Sequence, residues 1–184
     1  MAHAVAVIIG SLRKAAFSRK MAHALIGLTP ASLDPQIVEI GDLPLYDEDL
    51  ESDVPPPWAA FRAAMRPLKG VLFVTPEYNR SVPGVLKNAI DVGSRPYGQS
   101  VWSKKPAGIV SVSPGAISGF GANHHLRQSL VFLDMPTLQQ PEAYIGQAHK
   151  LFDAEGHLIN DDTRKFLDGF MQAFAAWVPA HAPA

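Results

Sequence analysis

Apolar residues along this chain gather in short unbroken runs, separated by stretches with helical spacing. Ala4, Val5, Ala6, Val7, Ile8 and Ile9 follow one another without a polar break and stop at Gly10. A run of this kind is expected of a strand buried on both faces of a parallel sheet. Helical spacing follows soon after: Met21, Leu25 and Leu28 share a face with Ala22 and Ile26, Ser18 is placed to cap the helix, and Thr29 with Pro30 ends it. The unit then recurs. Residues 36–40 predict a short second strand, 58–65 a helix, 70–75 a third buried strand, and 83–92 a helix with Pro83 near its first turn. Residues 107–112 predict a fourth strand, 123–133 a helix, and 137–140 a short last strand. Residues 161–178 predict a long amphipathic helix burying Phe166, Phe170, Phe174 and Trp177. Asp161 and Asp162 at its start suit the positive end of the helix dipole.

Five strands alternating with helices predict an α/β fold: a doubly wound five-stranded parallel sheet, strand order 2-1-3-4-5, with right-handed crossovers placing helices on both faces. A length of 184 residues fits one domain spanning 1–184. Ligands of such sheets bind beyond the carboxyl ends of the strands, at the switch between the first and third. The loops after Ile9, Thr75 and Val112 are therefore where chemistry is expected.

Composition narrows the choice. Sixteen Lys plus Arg against seventeen Asp plus Glu leave a formal charge of -1, so no global field favours nucleic acid or an anionic membrane. The chain has no cysteine, which removes disulfides, thiolate metal sites and dithiol redox chemistry together. Electron transfer would need a bound cofactor. The apolar start is too short to span a bilayer and no cleavage-like small-residue site follows it, which predicts a cytoplasmic protein.

The first loop, residues 10–19, places the cations Arg13, Lys14 and Arg19 and the hydroxyls of Ser11 and Ser18 between a buried strand and a helix start. Helix starts ordinarily favour acidic residues, and free amides there bind anions, so the loop reads as a phosphate site. The plainer reading is a solvated basic loop with Ser18 as an ordinary cap. A nucleoside-triphosphate loop does not fit, because Ala15 stands where the second glycine is required. The dinucleotide fingerprint fails as well; Gly119 and Gly121 are a fragment of one, but His124 occupies its sixth position. In the third-strand loop, Pro76, Glu77, Tyr78 and Asn79 suit a flat heteroaromatic ligand: Asn79 and open amides can read ring nitrogens and carbonyls, and Tyr78 can lie along a ring face. Alternatively, Ser81, Val82 and Pro83 merely start the next helix.

Taken in order, Gly10-Ser11-Leu12-Arg13-Lys14 with Ser18-Arg19-Lys20, and Pro76-Glu77-Tyr78-Asn79 running through Ser81-Val82-Pro83-Gly84 to Asn88-Ala89-Ile90-Asp91, resemble the NADPH-dependent FMN reductase family, which includes quinone and chromate reductases. Asp42-Leu43-Pro44-Leu45-Tyr46 and His125-Leu126-Arg127-Gln128 extend the similarity. The resemblance implies a flavodoxin-like fold, FMN as cofactor, NAD(P)H as co-substrate and a quinone-like acceptor reduced by two-electron hydride transfer. It implies that Ser11, Arg13, Ser18 and Arg19 hold the FMN phosphate, that Pro76, Glu77, Tyr78 and Asn79 line the isoalloxazine, and that Ser113, Pro114 and Gly115 close the other side. No side chain is assigned a catalytic role, since the flavin carries the chemistry. The family also implies dimers that join into tetramers. Some relatives place an Arg and a Tyr ahead of the His-Leu-Arg-Gln segment for the tetramer contact, where this chain has Gly121 and His124.

Seven histidines invite a metal reading, but adjacent His124 and His125 lack the spacing of a helical zinc pair, and no metal is expected. Asp47, Glu48 and Asp49 read as a solvated acidic loop beyond the second strand, within reach of a partner subunit's flavin. Two rivals share the fold. A flavodoxin-type electron carrier would be strongly acidic, unlike this chain. A signalling receiver domain would need acidic residues after the first strand and an aspartate ending the third, where Gly10-Ser11 and Thr75-Pro76 stand.

Overall fold

The computed structural model describes residues 1–182. Its elements run β1 (His3–Ile9), α1 (Phe17–Gly27), β2 (Leu33–Ile37), α2 (Pro56–Met65), β3 (Gly70–Thr75), α3 (Gly84–Gly93), β4 (Ala107–Val112), α4 (Phe120–Phe132), β5 (Ala143–Ile145) and α5 (Asp161–His181). All strand pairs are parallel, in the order β2-β1-β3-β4-β5. The predicted doubly wound topology is the one observed.

The unbroken apolar runs are explained by two cores, one on each sheet face. Val5, Val7 and Ile9 of β1 join Leu72, Val74 and Val110 against Met21 and Leu25 of α1 and Phe170, Phe174 and Val178 of α5. Their neighbours Ala6 and Ile8 point the other way, with Val71, Phe73 and Ile109, toward Trp58 and Phe61 of α2, Leu86 and Ile90 of α3, and Leu126 and Leu130 of α4. Alternate residues of one strand thus feed opposite cores, so neither face tolerates polarity.

Element boundaries moved in several places. The second strand is Leu33–Ile37, not 36–40, because its register is fixed by β1, with His3 opposite Leu33 and Val7 opposite Ile37. Pro35 is accepted there because β2 is an edge strand, where a missing N–H costs no ladder bond. The last strand is Ala143–Ile145, not 137–140; Thr137 makes only an isolated bridge to Ala107, and β5 aligns with Val110 to Val112 further along β4. α2 begins two residues early and α4 three residues early relative to the apolar pattern, at Pro56 and Phe120, while α3 is displaced by one at each end. Ser18 is not a cap: α1 starts at Phe17 with Ala16 at the capping position.

The last helix ends at His181 rather than 178, and Asn160 caps it by accepting from the Thr163 amide at 2.8 Å. Its buried stripe is Leu167, Phe170, Met171, Phe174, Ala175 and Val178. Phe166, expected inside, is 38% exposed, and Trp177 is half-buried with its indole N–H donated to Pro136 O. Every-fourth-residue spacing found Phe170 and Phe174 but placed the stripe one residue off.

Candidate active site

The carboxyl ends of β1, β3 and β4 lie side by side, so their three loops meet at the switch point. Gly10 lets the first two approach. A Cβ there would lie 2.8 Å from Thr75 Oγ1 and 3.2 Å from Pro76 Cδ, so any side chain would push the loops apart. Ser11, buried next to it, shares a hydrogen bond of 3.1 Å with the Tyr78 hydroxyl and accepts one from the Arg13 amide. The first loop is thereby tied to the third.

The start of α1 is prepared for an anion. Its first turn contains no acidic residue and no side chain caps it, so the Arg19 amide bonds Ala16 O while those of Phe17 and Ser18 are left without a helical partner. Ser18 is 1% exposed and its hydroxyl has no hydrogen-bond partner. A buried unpaired hydroxyl costs about 1–3 kcal/mol, a deficit that a phosphate oxygen would remove. Arg13 and Lys14, in the loop that leads into α1, are exposed. Arg19 is differently engaged: its guanidinium holds the Glu39 carboxylate through two bonds of 2.9 Å. That pairing draws the Glu39 carboxyl below its ordinary range.

In the β3 loop, Tyr78 and Ser81 exchange two backbone hydrogen bonds of 3.1 and 3.0 Å. The two residues between them are left-handed, Asn79 at φ 51° and Arg80 at φ 64°. Such a turn displays its side chains outward, and non-glycine residues at positive φ cost on the order of 1–3 kcal/mol each, strain that clusters at ligand sites. Glu77 is turned inward: its carboxylate accepts from the Ala122 amide at 3.1 Å and meets Arg80 at 3.4 Å. On the third side, the Ser113 amide donates to Ile145 O, its carbonyl accepts from Ala148, and its hydroxyl accepts from the Gly115 amide at 3.1 Å. Pro114 and Gly115 are exposed beyond β4.

The family model for NADPH-dependent FMN reductases matches residues 4–150. The chain belongs to the NADPH-dependent FMN reductase family. A quinone reductase of Pseudomonas putida is 66% identical over 177 residues, covering 96% of this chain and 95% of the relative. A 2-hydroxy-1,4-benzoquinone reductase of a Burkholderia species is 48% identical, covering 97% of each. The solved structure of FerB, a flavoenzyme NAD(P)H:(acceptor) oxidoreductase from Paracoccus denitrificans, superposes with a TM-score of 0.92 at 40% identity, covering 98% of this chain and all of that one.

For a member of this family the donor set fits FMN: an orphaned buried hydroxyl and open amides for a phosphate, and an exposed, strained turn for a planar ring. A groove of about 620 Å³ between β2 and α2 is lined by Ile37, Val38, Ala60, Phe61 and Leu68 and touches none of these loops. Its lining is mostly apolar and its charged members, Glu39 and Asp42, are acidic, which suits an anion poorly.

Three contacts were not foreseen in the residue pattern. Asn88 of α3 accepts from the Tyr46 amide and donates to Leu43 and Pro44 carbonyls, holding the segment after β2. Ser81 Oγ and His125 Nδ1 are 2.9 Å apart, and His124 Nε2 lies 2.9 Å from the Tyr144 hydroxyl. Asn88 and His125 stood inside the family-like segments, but their partners lie more than forty residues away along the chain and spacing does not reveal them. Gly121 also has a geometric reason: a Cβ there would lie 2.7 Å from Arg80 O.

Proposed function

We propose that this protein is an NAD(P)H-dependent oxidoreductase that uses FMN to reduce quinones by two-electron hydride transfer. Membership of the FMN reductase family and 66% identity to a quinone reductase support it. The observation that carries the site is the Ser18 hydroxyl, buried and unpaired at an uncapped, acid-free helix start that is linked through Ser11 and Tyr78 to the ring loop. When bound there, FMN supplies the hydride chemistry, accepting from the nicotinamide and passing electrons on.

The chain's own residues bind and orient. In this reading Ser11, Arg13 and Ser18 receive the phosphate, and Arg19 joins them only by leaving Glu39. Pro76, Glu77, Tyr78 and Asn79 frame one edge of the ring, and Ser113, Pro114 and Gly115 the other. Held by these loops, the ring would be met by nicotinamide and quinone in turn. Self-association to a dimer is part of the proposal, with tetramers as a further step; Leu45, Val131 and Phe132 are 80%, 76% and 86% exposed and would be covered by a partner. No helix among the described residues is long and apolar enough to cross a membrane, and a cytoplasmic location is proposed with it. Flavodoxin from Pseudomonas aeruginosa, at 16% identity and a TM-score of 0.60, shares the fold alone.

The deciding test is anaerobic mixing of FMN-loaded protein with excess NADH or NADPH. Bleaching of the oxidised flavin band within minutes is expected. If neither nucleotide bleaches it while dithionite does, the electron-carrier alternative replaces the enzyme.

A further inference from the structure

The turn at residues 77–81 is fastened to the start of α4 at two points. Glu77 Oε2 accepts from the Ala122 amide, one of the first-turn N–H groups that α4, lacking a side-chain cap, leaves without a helical partner. Four residues on, Ser81 Oγ meets His125 Nδ1. Between the two points lie Asn79 and Arg80, both left-handed and both non-glycine. A strained turn of this kind persists only where its surroundings over-determine it.

The approach is close enough to exclude a side chain. A Cβ on Gly121 would lie 2.7 Å from Arg80 O and 2.9 Å from Glu77 Oε2. Glu77 itself is spent on this contact: its side chain is 11% exposed, with Arg80 at 3.4 Å as its remaining partner. A carboxylate at a helix N-terminus is favourable both as a hydrogen-bond acceptor and through the dipole.

We propose that Glu77 is a positioning residue: by capping α4 it holds the 77–81 turn in the shape that meets the flavin ring, and Gly121 is the position whose lack of a side chain lets turn and helix close. The inference rests on the FMN reading above. It separates the carboxylate of Glu77, which acts on α4, from the backbone and neighbouring side chains of the turn, which would face the ligand.

The test titrates riboflavin and FMN by fluorescence into wild type, Glu77→Ala, Glu77→Gln and Gly121→Ala, and follows amide exchange in the flavin-free proteins. Riboflavin reports the ring contacts, and the ratio of its Kd to that of FMN reports the phosphate loop. Glu77→Ala is expected to weaken both ligands by the same factor, about tenfold, the size of one lost charge-assisted bond, and to leave the ratio unchanged. Glu77→Gln keeps an acceptor oxygen and should recover most of the loss, whereas a residue needed only for its charge would not be rescued. Gly121→Ala should reproduce the ring-side loss with Glu77 intact. Exchange should speed up together in segments 77–81 and 120–123 of Glu77→Ala and stay slow in Glu77→Gln. Wild-type riboflavin affinity in Glu77→Ala, a changed ratio, or uncoupled exchange in the two segments overturns the proposal. A wild type that binds no flavin overturns the cofactor reading instead, and the clamp is then decided by the exchange data alone.

Discussion

At the scale of single residues, the proposed phosphate site is a matter of which polar groups lack partners. Ser18 is buried without one and Arg13 is exposed in the same loop, whereas Arg19 is already held by Glu39. The two arginines therefore separate. Arg13→Ala is expected to weaken FMN binding by about 1.5–3 kcal/mol, the worth of a hydrogen bond to a charged group, with riboflavin binding unchanged; Arg19→Ala should cost less. Isothermal calorimetry with both ligands checks this. Equal losses for the two variants would mean that Arg19 abandons Glu39 on binding.

A second residue-scale prediction concerns Lys105, which is 5% exposed and donates to the Met65 and Arg66 carbonyls at the end of α2. Those carbonyls favour the ammonium, but burial, with Lys69 adding repulsion, pushes it down to about 8 from 10.5. Between those values the unfolded chain holds a proton that the folded protein has released, so stability should rise with pH across that window. Below pH 8 the folded protein keeps the buried charge and the gain is absent. Burial, with Glu142 adding to it, holds the Tyr144 hydroxyl up at about 12, which takes stability away above pH 10. Urea melts between pH 7.5 and 9.5 therefore isolate the lysine. The rise should vanish in Lys105→Met.

At the scale of elements, the helices were legible because their apolar stripes are long, while the ends were set by neighbours. β2 lies three residues nearer the N-terminus than expected, in register with β1, and β5 formed beyond residues 137–140, where a short last strand was expected. The junction of α3 with the loop before β4 shows how tightly such neighbours constrain each other. A Cβ on Gly93, the last residue of α3, would lie 2.5 Å from the indole nitrogen of the fully buried Trp102, which donates to Ile90 O. Gly93→Ala should destabilise the protein by about 1–3 kcal/mol, the usual effect of overpacking a filled core. At the other end of the chain, Asn160→Ala should cost about 0.5–2 kcal/mol by removing the cap of α5. Chemical denaturation measures both, and a neutral Gly93→Ala would show that Trp102 has room to move.

At the scale of the whole molecule, the proposed function has two flat substrates take turns at one flavin ring. Steady-state kinetics with NAD(P)H and a quinone should be ping-pong, and flavin-free protein should be inactive until FMN is restored, since no cysteine is present to carry electrons. Intersecting double-reciprocal lines would indicate that both substrates bind at once. Light scattering should find at least a dimer at micromolar concentration; a species of 19.9 kDa with full activity would remove the partner from the proposal.

The apolar runs and helical stripes by themselves determined the layer architecture, the strand order and the three loops that gather at the switch point, because burial on both sheet faces leaves few alternatives to a doubly wound sheet. The order of Gly10, Ser11, Arg13 and Ser18, and of Pro76 to Asn79, likewise points to a phosphate and a flat ring. Only the tertiary structure decided which side chains are free to meet them. Arg19 is paired with Glu39, Glu77 with the start of α4, and Ser18 is an unpaired interior hydroxyl rather than a cap. Those outcomes depend on distances between segments twenty to forty-five residues apart in the chain. Local spacing carries the period of an element, but hydrogen-bond partners are chosen by packing.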